Sequence, residues 1–307
     1  MTDISSDRGD HPARTVFDRR GFMLAGGLAA AVPAVGADPV QDAEETKPGR
    51  TPHTRFAVNI EMWFRSLPFT DRIRAASDLG FEWVEFWNWR DKDLDAIRRT
   101  SEETGVRIAQ FIGWGFVPGL NDPANHPAFE KAIAESCRAA NRLGAGMLTV
   151  VGGNDQPGMS QEEMHGNIVE GLRRVTDIIE ASKVMLILEP MNIRVDHKGH
   201  CLHSSDDAIR ICRSVASPWV KINWDVYHLQ IMEGDLARRI RDGFDEIGYV
   251  QIADNPGRNE PGTGEIDYSR VFRELASLGY DKPVGLECWP QEGETLAARR
   301  IHEADTW

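Results

Sequence analysis

From Arg55 to the end of the chain, eight short apolar segments alternate with amphipathic stretches, and this alternation constrains the fold more than any other feature. The segments are FAVNIEM (56–62), FEWVEFW (81–87), VRIAQFIG (106–113), GMLTVVGG (146–153), VMLILEP (184–190), VKINWDVY (220–227), IGYVQIAD (247–254) and PVGLECWP (283–290). Between them, stretches such as TDRIRAASDL, LDAIRRTSEET, FEKAIAESCRAANRL and HGNIVEGLRRVTDIIEAS repeat apolar residues at intervals of three and four, as a one-faced helix does. Gly80, Gly105, Gly144 and Gly279 stand just before strands, where a helix end favours a residue free to take positive φ. Eight strand–helix units over about 250 residues predict an α/β chain folded as a parallel (β/α)8 TIM barrel, one domain over 55–307. A doubly wound open sheet is the rival. It normally follows its first strand with a Gly-rich phosphate loop, whereas here that strand runs into MWFRSLPF.

Parallel strands covered on both faces read as nearly continuous apolar runs, so polar residues at their C-terminal ends stand out. Glu189 in LEP, Asp225 in NWD, Gln251 in VQIAD and Glu287 in LEC lie 36, 26 and 36 residues apart, one strand–helix repeat each. In a barrel they would converge on one mouth. Three carboxylates with nothing between them repel, and at neutral pH at least one takes up a proton. A divalent cation removes the conflict. The set is all oxygen, without thiolate or imidazole, which selects Mg²⁺ or Mn²⁺ over Zn²⁺. One such residue alone would read equally well as a helix cap or salt-bridge partner; four on successive strands favour a common centre.

The segments LEPMN (188–192), NWDVYH (223–228), VQIADNPGRNEPGTGEIDY (250–268) and VGLECWP (284–290) resemble the hydroxypyruvate isomerase family, within the xylose isomerase-like sugar isomerases and epimerases. The stretch from Phe56 to Trp87 resembles the start of the same barrel, and the likeness spans Arg55 to Pro290. Gln251 follows the hydroxypyruvate isomerase pattern, where ketose 3-epimerases typically carry His. The resemblance implies a metal-dependent isomerase interconverting hydroxypyruvate and 2-hydroxy-3-oxopropanoate, or a related keto-acid or keto-sugar pair, through an enediolate. It assigns Glu189 and Glu287 as the proton-transfer pair, Asp225 and Gln251 as ligands only, and His228 as a hydrogen-bonding partner of a substrate oxygen.

Other residues carry weaker expectations. Arg258 is placed to hold a substrate carboxylate, its bland reading being a surface salt bridge to Glu260. Glu85, Asn192 and Gln110 are candidates for touching substrate or orienting a ligand. Trp63, Phe64, Trp87, Trp89, Trp114 and Phe116 follow the early strands and are expected to divide between core and a water-excluding wall. His197, His200 and His203 read as a polar loop before the fifth helix in preference to a zinc site.

The loop GWGFVPGLNDPANHPAFE (113–130) diverges from the family where substrate would be shaped. A ketose 3-epimerase or 3-keto-sugar lyase using the same glutamates is therefore one alternative, and a noncatalytic exported sugar-binding protein another. A net charge of −13 with no basic cluster argues against nucleic acid as a partner, and so against the barrel-fold endonucleases that act at abasic sites. The four cysteines show no metal or redox spacing and are expected to be buried free thiols. At the N-terminus, Asp18-Arg19-Arg20-Gly21-Phe22-Met23 precedes a small-residue apolar run to Val35, resembling a twin-arginine export signal. That run falls short of the roughly 20 residues of a spanning helix. A signal over 1–37 and a polar linker over 38–54 predict an exported, periplasmic or extracellular protein. Barrels of this kind often associate, so homo-oligomerisation is a further expectation.

Overall fold

The computed structural model describes residues 47–307; the signal expected at 1–37 and the first part of the linker, 38–46, lie outside the described residues. The strands are β1 (Phe56–Asn59), β2 (Trp83–Glu85), β3 (Arg107–Ile108), β4 (Gln110–Trp114), β5 (Met147–Val151), β6 (Met185–Glu189), β7 (Val220–Asp225), β8 (Ile247–Ile252) and β9 (Val284–Leu286). Every pairing among them is parallel, in the order β3-β2-β1-β9-β8-β7-β6-β5-β4. β3 and β4 are two pieces of the third expected strand, parted at Ala109. The ring closes across that break: Ala109 N–H donates to Val84 O at 2.9 Å and Ile112 N–H to Trp87 O at 2.9 Å. The predicted (β/α)8 barrel is therefore the observed fold.

Because side chains alternate along a strand, each one sends every second residue into the barrel and the others toward the helices. The outward set, including Val58, Val84, Phe111, Leu148, Leu186, Ile222, Val250 and Leu286, joins helix residues such as Ile73, Ile97, Phe129, Ile168, Ile211 and Phe272 in one buried layer. Burying each such side chain contributes about 1.5–3 kcal/mol. The inward set forms a separate apolar plug of Ala57, Ala109, Met147, Ile187 and Tyr249, flanked by Trp83 and Met185. Above that plug, toward the strand C-termini, the interior turns polar.

Helix boundaries follow local chemistry. The Asp93 carboxylate accepts the N–H groups of Asp95 and Ala96 at the start of helix Leu94–Thr104, and Gly105 ends it at φ 75°. Ser160 and Glu163 form a reciprocal capping box at helix Gln161–Arg173. The expected glycine helix ends are all present, with φ of 95°, 75°, 69° and 80° at Gly80, Gly105, Gly144 and Gly279.

Residues 47–54, read from sequence as the end of a linker, are tied to the barrel. Gly49 N–H donates to Leu79 O, and the fully buried carboxylate of Asp305 accepts from His53 N (2.8 Å), Thr54 N (2.9 Å) and Thr54 Oγ1 (2.6 Å). His53 also stacks on Trp307, with centroids 4.0 Å apart. These contacts lie at the face where the strands begin. All four cysteines are buried and unpaired, as expected. Among the described residues, no helix is long and apolar enough to cross a membrane.

Candidate active site

At the opposite face, a cavity of about 290 Å³ is lined by Trp87, Gln110, Ile112, Phe116, Thr149, Val151, Glu189, Met191, His197, His228, Gln251, Arg258 and Glu287. Glu189 and Asp225 are the last residues of β6 and β7, Gln251 is the penultimate residue of β8, and Glu287 follows β9 directly. Glu189, Asp225, His228 and Glu287 each bring one ligand-type atom within 4.8 Å of the others, and all four are buried.

The electrostatics of this group are strained by design of the fold. Burial, then the charges of Glu287 and Asp225, push the Glu189 carboxyl well above its ordinary range. Asp225 rises to about 7, chiefly from burial, with Arg258 opposing and Glu287 adding. Glu189 Oε1 and Asp225 Oδ2 have no hydrogen-bond partner although both are buried. Unpaired buried carboxylate oxygens are costly, and a divalent cation would satisfy them together, so the residues present fit a metal ion. Asp225 spends its other oxygen on the N–H of Tyr227 at 2.9 Å.

Glu287 is held from two sides: Trp87 Nε1–H donates to Oε1 and Arg258 Nη2 to Oε2, both at 2.7 Å. Arg258 also approaches Asp225 Oδ2 at 3.8 Å and lies over the Tyr227 ring. It pairs with Glu287, not with Glu260 as the bland reading supposed; Glu260 instead binds Arg300 and the N–H of Gln291. Arg258 adopts φ 56°, a left-handed conformation that costs a non-glycine residue about 1–2 kcal/mol. Its loop imposes it. The buried Asp254 carboxylate gathers the N–H groups of Asn255, Gly262 and Ile266, and a Cβ on Gly264 would lie 2.5 Å from Asp254 Oδ1. Such over-determined strain is characteristic of functional positions.

Gln251 lines the pocket, yet its amide is already engaged: Oε1 accepts from Asn223 Nδ2 at 2.5 Å and Nε2 donates to Glu85 Oε1 at 2.8 Å. The amide is thereby oriented, and Oε1 keeps a second lone pair. Glu85 was a candidate for touching substrate or orienting a ligand; the structure places it one layer lower, fully enclosed and against Gln251. Its carboxylate accepts from Asn59, Gln110, Tyr249 and Gln251. Burial and the facing Glu287 raise it to about 7 against the opposing hydrogen bonds from Gln251, Tyr249 and Gln110. Gly285 makes room for it, since a Cβ there would sit 2.5 Å from Glu85 Oε2.

Asn192, also expected at the substrate, is buried behind His228 and touches Val195, Asp196 and His228. His228 is fully buried, its Nε2 unpartnered, 3.5 Å from Asp225 Oδ2 and 3.7 Å from Glu189 Oε1. Burial, then the Arg258 charge, hold its pKa well below the ordinary value, so the ring is neutral.

Of the six aromatics expected to divide between core and wall, Trp87 and Phe116 line the pocket. Trp63, Phe64 and Trp114 belong to the core, and Trp89 donates to Ser136 while packing against that core. The three loop histidines do precede helix Ser205–Val215, and His197 joins the pocket by stacking on Phe116, with centroids 5.0 Å apart. Asn223, Tyr249 and Thr149 escaped notice in the sequence. A two-residue stride back from Asp225, Gln251 and Val151 finds each on the same inner face.

Comparison with known proteins gives concordant results. Residues 73–304 match the family described as xylose isomerase-like TIM barrel. Hydroxypyruvate isomerase of Escherichia coli (strain K12) is 32% identical over 243 residues, 77% of this chain and 94% of that protein. The 2-oxo-tetronate isomerase of Cupriavidus necator is 30% identical over 247 residues, 78% of this chain and 94% of that one. Among solved structures, one described as AP endonuclease, family 2 from Brucella melitensis superposes with a TM-score of 0.75 at 28% identity, covering 80% of this chain and 96% of its own.

Proposed function

The chain belongs to the xylose isomerase-like TIM barrel family, and from that premise we propose that it interconverts hydroxypyruvate and 2-hydroxy-3-oxopropanoate, or a closely related small keto acid, by proton transfer through an enediolate. It is an isomerase, like its hydroxypyruvate and 2-oxo-tetronate isomerase relatives. One observation carries the choice of chemistry: the carboxylates of Glu189 and Glu287 face a single cavity, with Arg258 fixed against Glu287.

One glutamate removes the proton from the hydroxyl-bearing carbon, leaving an enediolate, and the pair returns a proton to the neighbouring carbon. The hydroxyl proton passes from one oxygen to the other, so no net oxidant or reductant is required. Glu287 is kept aligned by Trp87 and Arg258, while Glu189 Oε1 carries no hydrogen bond. Arg258 is positioned to share its guanidinium with a substrate carboxylate, and His228 to meet a substrate oxygen. Glu189, Asp225, Glu287 and Gln251 would hold a divalent ion of the Mg²⁺ or Mn²⁺ type, which when bound polarises the substrate carbonyl. Trp87, Ile112, Phe116, Val151 and Met191 shield the reacting carbons from water.

The endonuclease reading is disfavoured by a net charge of −13. The test is deuterium exchange in D₂O across hydroxypyruvate, tetruloses, hexuloses and 3-keto-glycosides with added Mg²⁺ or Mn²⁺. Glu189→Gln and Glu287→Gln should each suppress exchange; retention of the full rate in both would sink the assignment. The export signal completes the reading, and replacing Arg19 and Arg20 together by Lys should leave the precursor in the cytoplasm on cell fractionation.

A further inference from the structure

Asn192 lies three residues beyond the end of β6 and is fully buried, so it contacts no solvent-filled part of the pocket. Its carboxamide is spent in a way that permits one orientation. Oδ1 accepts the backbone N–H groups of Val195 and Asp196, each at 3.0 Å. Nδ2 donates to Asp196 Oδ2 at 2.6 Å and stands 2.7 Å from His228 Nδ1. Turning the amide over would set its NH₂ against two N–H donors and its oxygen against a carboxylate. Asp196 is itself fixed, since Tyr227 OH donates to the same oxygen at 3.0 Å. His228 Nδ1 must therefore accept, which leaves the ring's proton on Nε2. That atom is the one aimed, without a partner, between Asp225 Oδ2 and Glu189 Oε1.

We infer that Asn192 is a positioning residue that locks His228 in the Nε2–H tautomer, making it a donor to a substrate oxygen and withholding it from the metal-ligand set. The donor role rests on the isomerase reading above; the tautomer does not. The lock has two effects. An N–H aimed at an oxygen that gains charge stabilises the enediolate selectively. With its Nε2 lone pair removed from use, His228 cannot supply the imidazole nitrogen that would tilt the site toward Zn²⁺, so the donors remain oxygen.

The test uses the full chain labelled with ¹⁵N-histidine, with His228 assigned by difference against His228→Gln. Two-bond proton–nitrogen correlation reads the tautomer directly, and the wild type should show the Nε2–H pattern. Asn192→Asp converts the donor to an acceptor but sets two carboxylates together. Combining it with Asp196→Asn restores an amide–carboxylate pair at that spot. The double variant should shift the proton onto Nδ1, raise Zn²⁺ preference over Mn²⁺ at least tenfold in competition dialysis, and lower kcat about 10- to 100-fold with a smaller change in KM.

An Nδ1–H pattern in the wild type would overturn the inference, whether or not any variant folds. So would a folded double variant that keeps the wild-type tautomer and metal ratio. A chain that turns over no substrate yet shows the tautomer switch would refute the isomerase reading and uphold the lock.

Discussion

Trp87 and Glu287, 200 positions apart in the chain, are joined by an indole N–H donated to carboxylate Oε1 at 2.7 Å. The bond ties the segment just past β2 to the residue just past β9 and fixes the direction in which the carboxylate proposed for proton transfer points. A hydrogen bond to a charged group contributes about 1.5–3 kcal/mol. Trp87→Phe keeps most of the ring and should lower kcat about 10- to 100-fold while KM stays within a few-fold. Unchanged kcat in steady-state assays would show that Arg258 alone aligns Glu287.

Arg258 should separate substrates by whether they carry a carboxylate. Arg258→Lys keeps the charge but loses the planar guanidinium, and its kcat/KM for hydroxypyruvate should fall about 10- to 100-fold. The fall for dihydroxyacetone, which lacks the carboxylate, should be several-fold smaller. Equal losses on the two would move Arg258 from substrate recognition to the support of Glu287.

Cation affinity should depend on pH in a defined direction. Asp225 is raised from 3.8 to about 7 and Glu85 from 4.5 to about 7 by burial, with the Glu287 charge adding in both cases. Raised carboxyls bind protons in the folded chain that the unfolded chain has already released, so without metal they lower stability as pH rises from about 4.5 to 7. A cation at Asp225 must displace those protons below about 7 and meets no such competition above it. The rise in Tm on adding Mn²⁺ to chelator-treated protein should therefore grow as pH rises from 5.5 through about 7, with displacement of the proton on the raised Glu189 carboxyl adding to the trend. A constant or shrinking increment in calorimetry would contradict this.

Gly285→Ala tests how tightly the interior polar layer is fitted. The added methyl would lie 2.5 Å from Glu85 Oε2 and 2.9 Å from Gln251 Cγ. Overpacking of this kind costs about 1–3 kcal/mol, and here it also turns the Gln251 amide away from its place. A loss of denaturation free energy in that range is expected, together with weaker Mn²⁺ binding. If stability falls and Mn²⁺ affinity does not, Gln251 is not a ligand.

The barrel and its converging strand ends were legible because a period of two fixes which face a strand residue occupies, and one strand–helix repeat fixes its azimuth. Glu189, Asp225, Gln251 and Glu287 needed nothing more. Glu85 and Asn192 were read as touching substrate or orienting a ligand, and pattern alone could not choose between these, because height within the barrel depends on cross-strand register and loop path; Glu85 holds Gln251, and Asn192 stands behind His228. The aromatics show the same divide. Trp87 sits two residues beyond Glu85, on the inner side, whereas Trp63 folds back onto Phe81, 5.8 Å between centroids. His197 reaches the pocket from an aperiodic loop, and no spacing rule points to it.

The stack of His53 on Trp307, with Asp305 gripping the chain just ahead of β1, brings both ends of the barrel domain together beneath its floor. A short linker could join them, with new ends opened in a surface loop, as circular permutation requires. Equally, an affinity tag or resin attached after Trp307 would hold every molecule with its mouth turned outward. An immobilised preparation should then keep the KM of the free enzyme.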